Sequence, residues 1–151
     1  ITNFHFEVAA DLLNEEEIEL IRSLRPGLIQ LEIGIQSTNK QTIKEINRSM
    51  NLEKVRDKVA RIHEKGNVHQ HLDLIAGLPY ENYDSFAHSF NAVYAMEPDQ
   101  FQLGFLKVLH GSVMHEKMKE YELLCQNRPP YELLSTKWLP YSDVIRLKKV
   151  E

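Results

Sequence analysis

The residues of this chain whose types and spacing could do chemistry gather at the ends of two short apolar runs. The first reads Leu31-Glu32-Ile33-Gly34-Ile35-Gln36-Ser37 and the second His71-Leu72-Asp73-Leu74-Ile75-Ala76-Gly77-Leu78-Pro79. In an extended strand alternate side chains share a face, so His69, His71, Asp73 and Ile75 point one way and Val68, Gln70, Leu72 and Leu74 the other. A carboxylate at position 73, set between apolar neighbours, is costly to bury unless something accepts its charge. Two readings stand side by side: Asp73 caps a loop or pairs with a basic neighbour, or it holds a ligand. Gln36 and Ser37 serve as readily as turn and helix-entry residues, serine being a common cap, and Arg48 reads as a solvated charge. A polar side chain and a glycine at a strand's carboxyl end are nevertheless what open α/β sheets and barrels use to build ligand sites.

These residues need strands and helices in alternation to hold them, and the pattern supplies both. Residues 3 to 8 alternate as a strand, and Asn14 to Glu17 forms a capping box for a helix whose buried stripe is Ile18, Ile21 and Leu24. The run 28 to 35 is nearly all apolar, as in a parallel strand covered on both faces. A short helix near 39 to 47 and a longer one capped by Asn51 and stopped by Gly66 lead to a strand over 68 to 76. A helix over 83 to 96 and a strand over 100 to 108 follow. Beyond them come a loop with Gly111 and Ser112, a helix near 113 to 124, with Cys125 read as belonging to this late helical region, and an irregular proline- and aromatic-rich stretch from 128 to 141. Single crossovers between successive strands mean a parallel sheet with right-handed connections, and four such strands are too few to close a barrel.

Composition narrows the function classes. The chain has 151 residues, a net charge of -4 and 42% hydrophobic residues, which suits one globular core and gives no electrostatic reason to expect nucleic acid. No apolar run approaches the length of a bilayer span, so no membrane partner is expected and the setting reads as cytoplasmic. The chain opens without Met in a strand-like run, which reads as a piece of a longer protein. Its one cysteine, Cys125, makes neither an internal disulfide nor a cysteine-based metal site by itself.

Taken together, Gly34-Ile35-Gln36-Ser37, Arg48 twelve residues after Gln36, and Asp73-Leu74-Ile75-Ala76-Gly77-Leu78-Pro79 resemble the second half of a radical S-adenosylmethionine (SAM) barrel. The spacing is similar to that of oxygen-independent coproporphyrinogen III oxidases. The segments Leu103 to Lys107, Gly111-Ser112 and Tyr131 to Trp138 are more similar to the cobalamin-domain radical SAM proteins, a group that includes anaerobic magnesium-protoporphyrin monomethyl ester oxidative cyclases.

The resemblance implies an α/β fold, a partial parallel (β/α) barrel of about four strands with flanking helices, the C-terminal portion of a radical SAM TIM-like barrel. It assigns residues 1–115 to that barrel half and 116–151 to a helical and irregular extension. It implies that Gln36 and Ser37 stand near the SAM ribose and methionyl group, that Asp73 accepts from ribose hydroxyls, and that Ile75 packs on the adenine, with Leu106 bordering the same ring. Glu7 and Arg48 match positions near the methionyl carboxylate and amine. The implied cofactors are SAM and a 4Fe-4S cluster whose ligands lie outside this chain, with cobalamin as a further cofactor that the parent could use. The implied partners are the missing N-terminal barrel half, a cobalamin-binding domain, a reductant such as flavodoxin or ferredoxin, and a small-molecule substrate. The parent would generate a 5'-deoxyadenosyl radical for an oxidative cyclisation, a methylation or a related reaction.

Several positions depart from that pattern. Asp73 stands where the fifth-strand motif of the family often has glycine, and Glu81 sits one residue late, which favours a helix-capping role for it near Tyr83. His110 stands where relatives often have proline, and reads as a solvated loop residue. With a single cysteine the chain lacks the three thiolates that a radical SAM cluster needs, so the chain alone is expected to be inactive. Two other classes stay open: a binding or interaction domain on a TIM-barrel-like frame without radical chemistry, and a zinc site made by His69 and His71 with His63, His110 or His115. An outermost strand with unpaired backbone groups also predicts a homodimer through that edge.

Overall fold

The computed structural model of the protein describes residues 2–150. Four parallel strands make the main sheet: β1 (Phe4–Val8), β2 (Ile29–Gln36), β3 (His69–Ala76) and β4 (Gln100–Phe105), adjacent in chain order. Helices α1 (Glu15–Ser23), α2 (Lys40–Glu45), α3 (Leu52–His63) and α4 (Tyr83–Tyr94) fill the crossovers, after a 3-10 turn at Ala10–Leu12. The α/β frame of about four parallel strands with flanking helices is therefore as the sequence implies. Among the described residues no helix is long and apolar enough to cross a membrane.

Local chemistry explains where the helices start. Asn14 and Glu17 form the expected capping box on α1, Asn39 and Asn51 cap α2 and α3 through their side-chain oxygens, and Asn82 with Ser85 forms a second capping box on α4. Asn82, not Glu81, is the cap of α4, and this corrects the capping role expected for Glu81.

The two faces of the sheet differ, and the difference makes the site. Along β2, Ile29, Leu31, Ile33 and Ile35 are buried beneath the helices, whereas Gln30, Glu32, Gly34 and Gln36 are only half-buried on the opposite face. The expectation that this strand is covered on both faces is thus corrected: its apolar residues alternate with polar ones, and only one face carries helices. β3 repeats the pattern from Leu72 on, with Gln70, Leu72, Leu74 and Ala76 buried and Asp73 and Ile75 half-open, while His71 on the open face is itself buried. The helix-side core joins these to Ile18, Val59, Ile62 and Phe86, each at most 1% exposed.

The last third is more ordered than its sequence suggests. The helix expected over 113 to 124 is only α5 (Val113–Glu116); the chain then turns inward so that the fully buried Tyr121 reaches the Glu45 carboxylate, which also accepts from Lys117 Nζ at 2.6 Å. A small antiparallel pair, β5 (Leu124–Cys125) and β6 (Leu133–Ser135), precedes α6 (Tyr141–Leu147). Cys125 accordingly lies in a strand and not in a helix. The stretch from 128 to 141 that reads as irregular contains β6, whose Leu133 is completely buried.

Candidate functional site

The half-open sheet face concentrates polar side chains at the carboxyl ends of β1, β2 and β3. Register places Glu7 beside Glu32 and Gly34 beside Asp73. Around them lies a cavity of about 320 Å³ lined by Glu7, Glu32, Gly34, Gln36, Arg48 and Asp73 together with Val8 and Ala9. A second cavity, of about 760 Å³, starts at the same Asp73 and runs past Ile75 and along β4 to Leu106 and Lys107, bounded at its end by Pro130 and Glu132. Asp73 is the residue the two share.

Gln36 is held in a conformation that few non-glycine residues adopt. The β2–β3 register shifts between Gly34 and Gln36, and Gln36 has φ +68°, in the left-handed region. Its side-chain Nε2 donates to Asp73 Oδ2 at 3.0 Å. The other carboxylate oxygen, Oδ1, is buried and has no hydrogen-bond partner. A Cβ at position 34 would lie 3.0 Å from Gln36 Nε2, 3.5 Å from Arg48 Nη1 and 3.6 Å from Asp73 Oδ1, so the glycine keeps open the space on which three functional groups converge.

Electrostatics at Asp73 follow from burial and crowding. Desolvation, reinforced by the Glu32 carboxylate and more weakly by Glu7, pushes the Asp73 carboxyl up to about 6, against the opposing pull of His71 and Arg48. Glu32 accepts a charge-assisted contact from His5 Nε2 at 2.9 Å and stands 4.0 Å from His71 Nδ1.

Of the seven residues the sequence singles out, the structure brings six to these cavities: Glu7, Gln36, Arg48 and Asp73 to the polar one, and Asp73, Ile75 and Leu106 to the longer one. Ser37 lines neither. It is fully buried and its hydroxyl donates to Glu81 Oε1 at 2.7 Å, while Ser89 Oγ donates to the same oxygen at 3.2 Å. Ser37 Oγ also accepts from Asn39 N, Thr38 N donates to Ser89 Oγ, and Thr42 Oγ1 donates to Pro79 O at 2.8 Å. This network clamps the turn after β2 to the turn after β3, and so fixes Gln36 relative to Asp73. Burial pushes Glu81 up to about 7, with the two serine hydroxyls pulling the other way.

Glu32 is a site residue that sequence reasoning missed, although its place two residues before Gly34 and four before Gln36 puts it on the same strand face. Pro130 and Glu132 were not recoverable from pattern at all, because only the folded tail brings them to β4. The histidine reading finds no support: among the described residues no group of three or more His, Cys, Asp or Glu side chains is placed to hold a metal ion. His110 and His115 do meet, at 3.2 Å, and His69 is exposed.

A family model for the radical SAM superfamily matches residues 1–93. The chain belongs to the radical SAM superfamily. A second family model, described as a protein of unknown function (DUF4080), matches residues 119–151. Curated relatives of this radical SAM chain include the oxygen-independent coproporphyrinogen III oxidase of Salmonella typhimurium, 29% identical over 130 residues that make up 80% of this chain and 28% of that protein. The enzyme of the same name from Escherichia coli K12 is 29% identical over 107 residues, 67% of this chain and 23% of its own length. The chain thus spans about a quarter of the length of the curated relatives it matches. Among solved structures, the Escherichia coli coproporphyrinogen III oxidase HemN superposes with a TM-score of 0.68 at 19% identity, over 98% of this chain and 31% of that one. TsrM from Kitasatospora setae, a radical SAM methyltransferase solved with cobalamin and a 4Fe-4S cluster, gives 0.70 at 11% identity, over 97% and 36%. At such identities these two structures establish the shared fold.

Proposed function

We propose that the chain is the nucleoside-holding half of a SAM site in a longer radical SAM enzyme. The observation that carries this reading is Asp73: a carboxylate at a strand's carboxyl end, shared by a polar and a longer, partly apolar cavity, with Oδ1 buried and unpartnered. A buried acceptor without a donor is a standing cost, and a ribose diol offers donors that would remove it. The open cradle over Gly34 and the converging Gln36 and Arg48 groups fit the polar remainder of the same ligand.

In this reading Asp73 accepts from the ribose hydroxyls and Gln36 orients Asp73 through their hydrogen bond. Glu7 and Arg48 offer opposite charges to the methionyl amine and carboxylate, and Ile75 and Leu106 give the base an apolar bed. Ser37 acts at one remove, through the Glu81 clamp. Held by these residues, SAM would supply a 5'-deoxyadenosyl radical, with methionine as the leaving group, once a cluster bound elsewhere in the whole protein provided the electron. The residues of this chain do not fit the cluster itself, since one cysteine does not provide three thiolates. We therefore assign cluster binding to the N-terminal part of the parent, the barrel half 1–115 and the extension 116–151 to this chain, and inactivity to the chain by itself. An oxidative cyclisation or a methylation, with cobalamin on a separate domain and flavodoxin or ferredoxin as cytoplasmic reductant, is the chemistry we propose for the whole protein; its substrate is not specified by these residues.

The test is anaerobic reconstitution of the parent with iron and sulfide and assay of 5'-deoxyadenosine. Asp73→Ala and Gln36→Ala should each lower product at least tenfold. Undiminished product from both would refute the assignment.

A further inference from the structure

Ile75 and Leu106 do not make their apolar bed alone. A second apolar cluster, separate from the core beneath the helices, joins Leu78, Leu106 and Val108 from the strand ends to Tyr121, Leu123 and Leu133 from the tail, with Ile75 and Trp138 packed against it. The tail reaches this position by returning antiparallel beside the segment that follows β4. Val108 N donates to Tyr131 O and Leu133 N donates to Leu106 O, both at 3.0 Å, while Lys107 and Glu132 face each other in a bridge between them. Leu106 N in turn donates to Ala76 O at 3.0 Å. Backbone hydrogen bonds therefore run without a break from β3, through Leu106, to the tail.

That path seats Leu133, with no exposed surface, directly on Gly77. A Cβ at position 77 would fall 2.1 Å from Leu133 Cδ2, a separation that no real pair of carbons adopts, and Gly77 also has φ +91°. Three residues on, the Tyr80 ring lies 4.7 Å from the ring of Trp138, and Tyr80 O accepts from Asn39 Nδ2. The loop after β3 is thus gripped by the tail at Gly77 and Tyr80 and by the start of α2 from the other side. Pro130 and Glu132 reach the same cavity as Asp73, Ile75 and Leu106.

We propose that residues 130–133 are a built-in wall of the nucleoside site, and that Leu133 is a positioning residue that sets, through the backbones of Gly77 and Leu106, the gap in which the purine base lies. This rests on the SAM reading and adds to it a segment outside the residues matched by the superfamily model. A side chain at zero exposure packed on a glycine has little room to shift, so truncation would let the loop and the strand end move together. The consequence falls on the base and not on the ribose or amino-acid part, because Asp73 and Gln36 stand at the β2 and β3 strand ends and Arg48 lies between α2 and α3, whereas Leu133 packs on Gly77.

The experiment measures dissociation constants in the full-length protein for SAM, for 5'-deoxyadenosine and for S-ribosylhomocysteine, which has the ribose and amino-acid parts but no purine. Leu133→Ala should weaken SAM and 5'-deoxyadenosine at least tenfold and leave S-ribosylhomocysteine within twofold; Leu133→Met should restore the purine ligands to within threefold of wild type. Should Leu133→Ala not fold, Leu133→Val should show the same split at about threefold. Equal affinities of folded Leu133 variants and wild type for all three ligands would overturn the proposal, as would equal weakening of all three, which is what a merely structural role produces. If Asp73→Ala abolishes SAM binding while Leu133 variants do not alter it, this proposal alone falls. If the wild-type protein binds none of the three, the SAM reading falls and takes this proposal with it.

Discussion

Replacing Glu81 with Gln should make the protein more stable at neutral and alkaline pH and leave it unchanged in acid. Glu81 is 1% exposed, accepts from Ser37 and Ser89 on one oxygen, and leaves Oε2 without a partner. Its carboxyl is raised from 4.5 to about 7 by burial. An acid whose folded value is raised binds its proton more tightly in the native state, so native protein holds more protons than unfolded chain between the two values and stability falls as pH rises through them. The contribution is fully present below about pH 4.5 and lost as pH passes about 7. At about 1.4 kcal/mol per pH unit, the interval corresponds to about 3 kcal/mol. Gln has the shape of the protonated acid, can accept from both serines and does not titrate. Urea unfolding of wild type and Glu81→Gln at intervals from pH 4.5 to 8.5 should give coincident stabilities at the acid end, diverging to about 3 kcal/mol in favour of the variant above pH 7.5. Asp73 titrates in both proteins, so its contribution cancels in the difference. Parallel pH profiles, or a variant less stable at every pH, would refute the claim that burial raises the Glu81 carboxyl within the clamp between the two turns.

Asp73→Asn should likewise stabilise the free protein at pH 8, by about 2 kcal/mol after discounting for partial exposure, while lowering SAM affinity at least tenfold; thermal unfolding with and without SAM separates the two effects. Asn82→Ala removes the capping box of α4 and should cost about 1 kcal/mol in urea unfolding, whereas Glu81→Gln should leave the helix content of α4 intact. At the outer edge of the sheet, Phe4 and Phe6 are 50% and 48% exposed on β1, which among the described strands pairs only with β2. The isolated chain should therefore associate with rising concentration, and Phe6→Lys should shift light scattering toward monomer; a monomeric wild type at all concentrations would count against pairing through this edge.

Much of the frame was legible in the residues because it depends on local chemistry. The period-two alternation of β3, the caps at Asn14 and Asn51 and the break at Gly66 act over a few residues, and the structure keeps each of them. The tail was less legible: the spacing predicts a helix over 113 to 124, but Tyr121 is buried with Leu133 and against Trp138, contacts with residues further along the chain that local pattern does not encode. Glu81 was misjudged for a related reason. A glutamate before a helix usually faces water, and nothing nearby in sequence announces that Ser37, 44 positions earlier, will meet it.

By itself, then, the order of residues determined the parallel α/β frame and set Gln36, Asp73 and Ile75 at strand ends, because alternation and capping are short-range constraints. Tertiary structure alone decided the rest: that Asp73 stands where two cavities meet, that Ser37 turns away from them to the Glu81 clamp, and that Leu133 closes on Gly77. Each of those outcomes depends on which distant segment arrives to exclude water, and exclusion of water is what gives a buried carboxylate, a hydroxyl or a bare glycine its role.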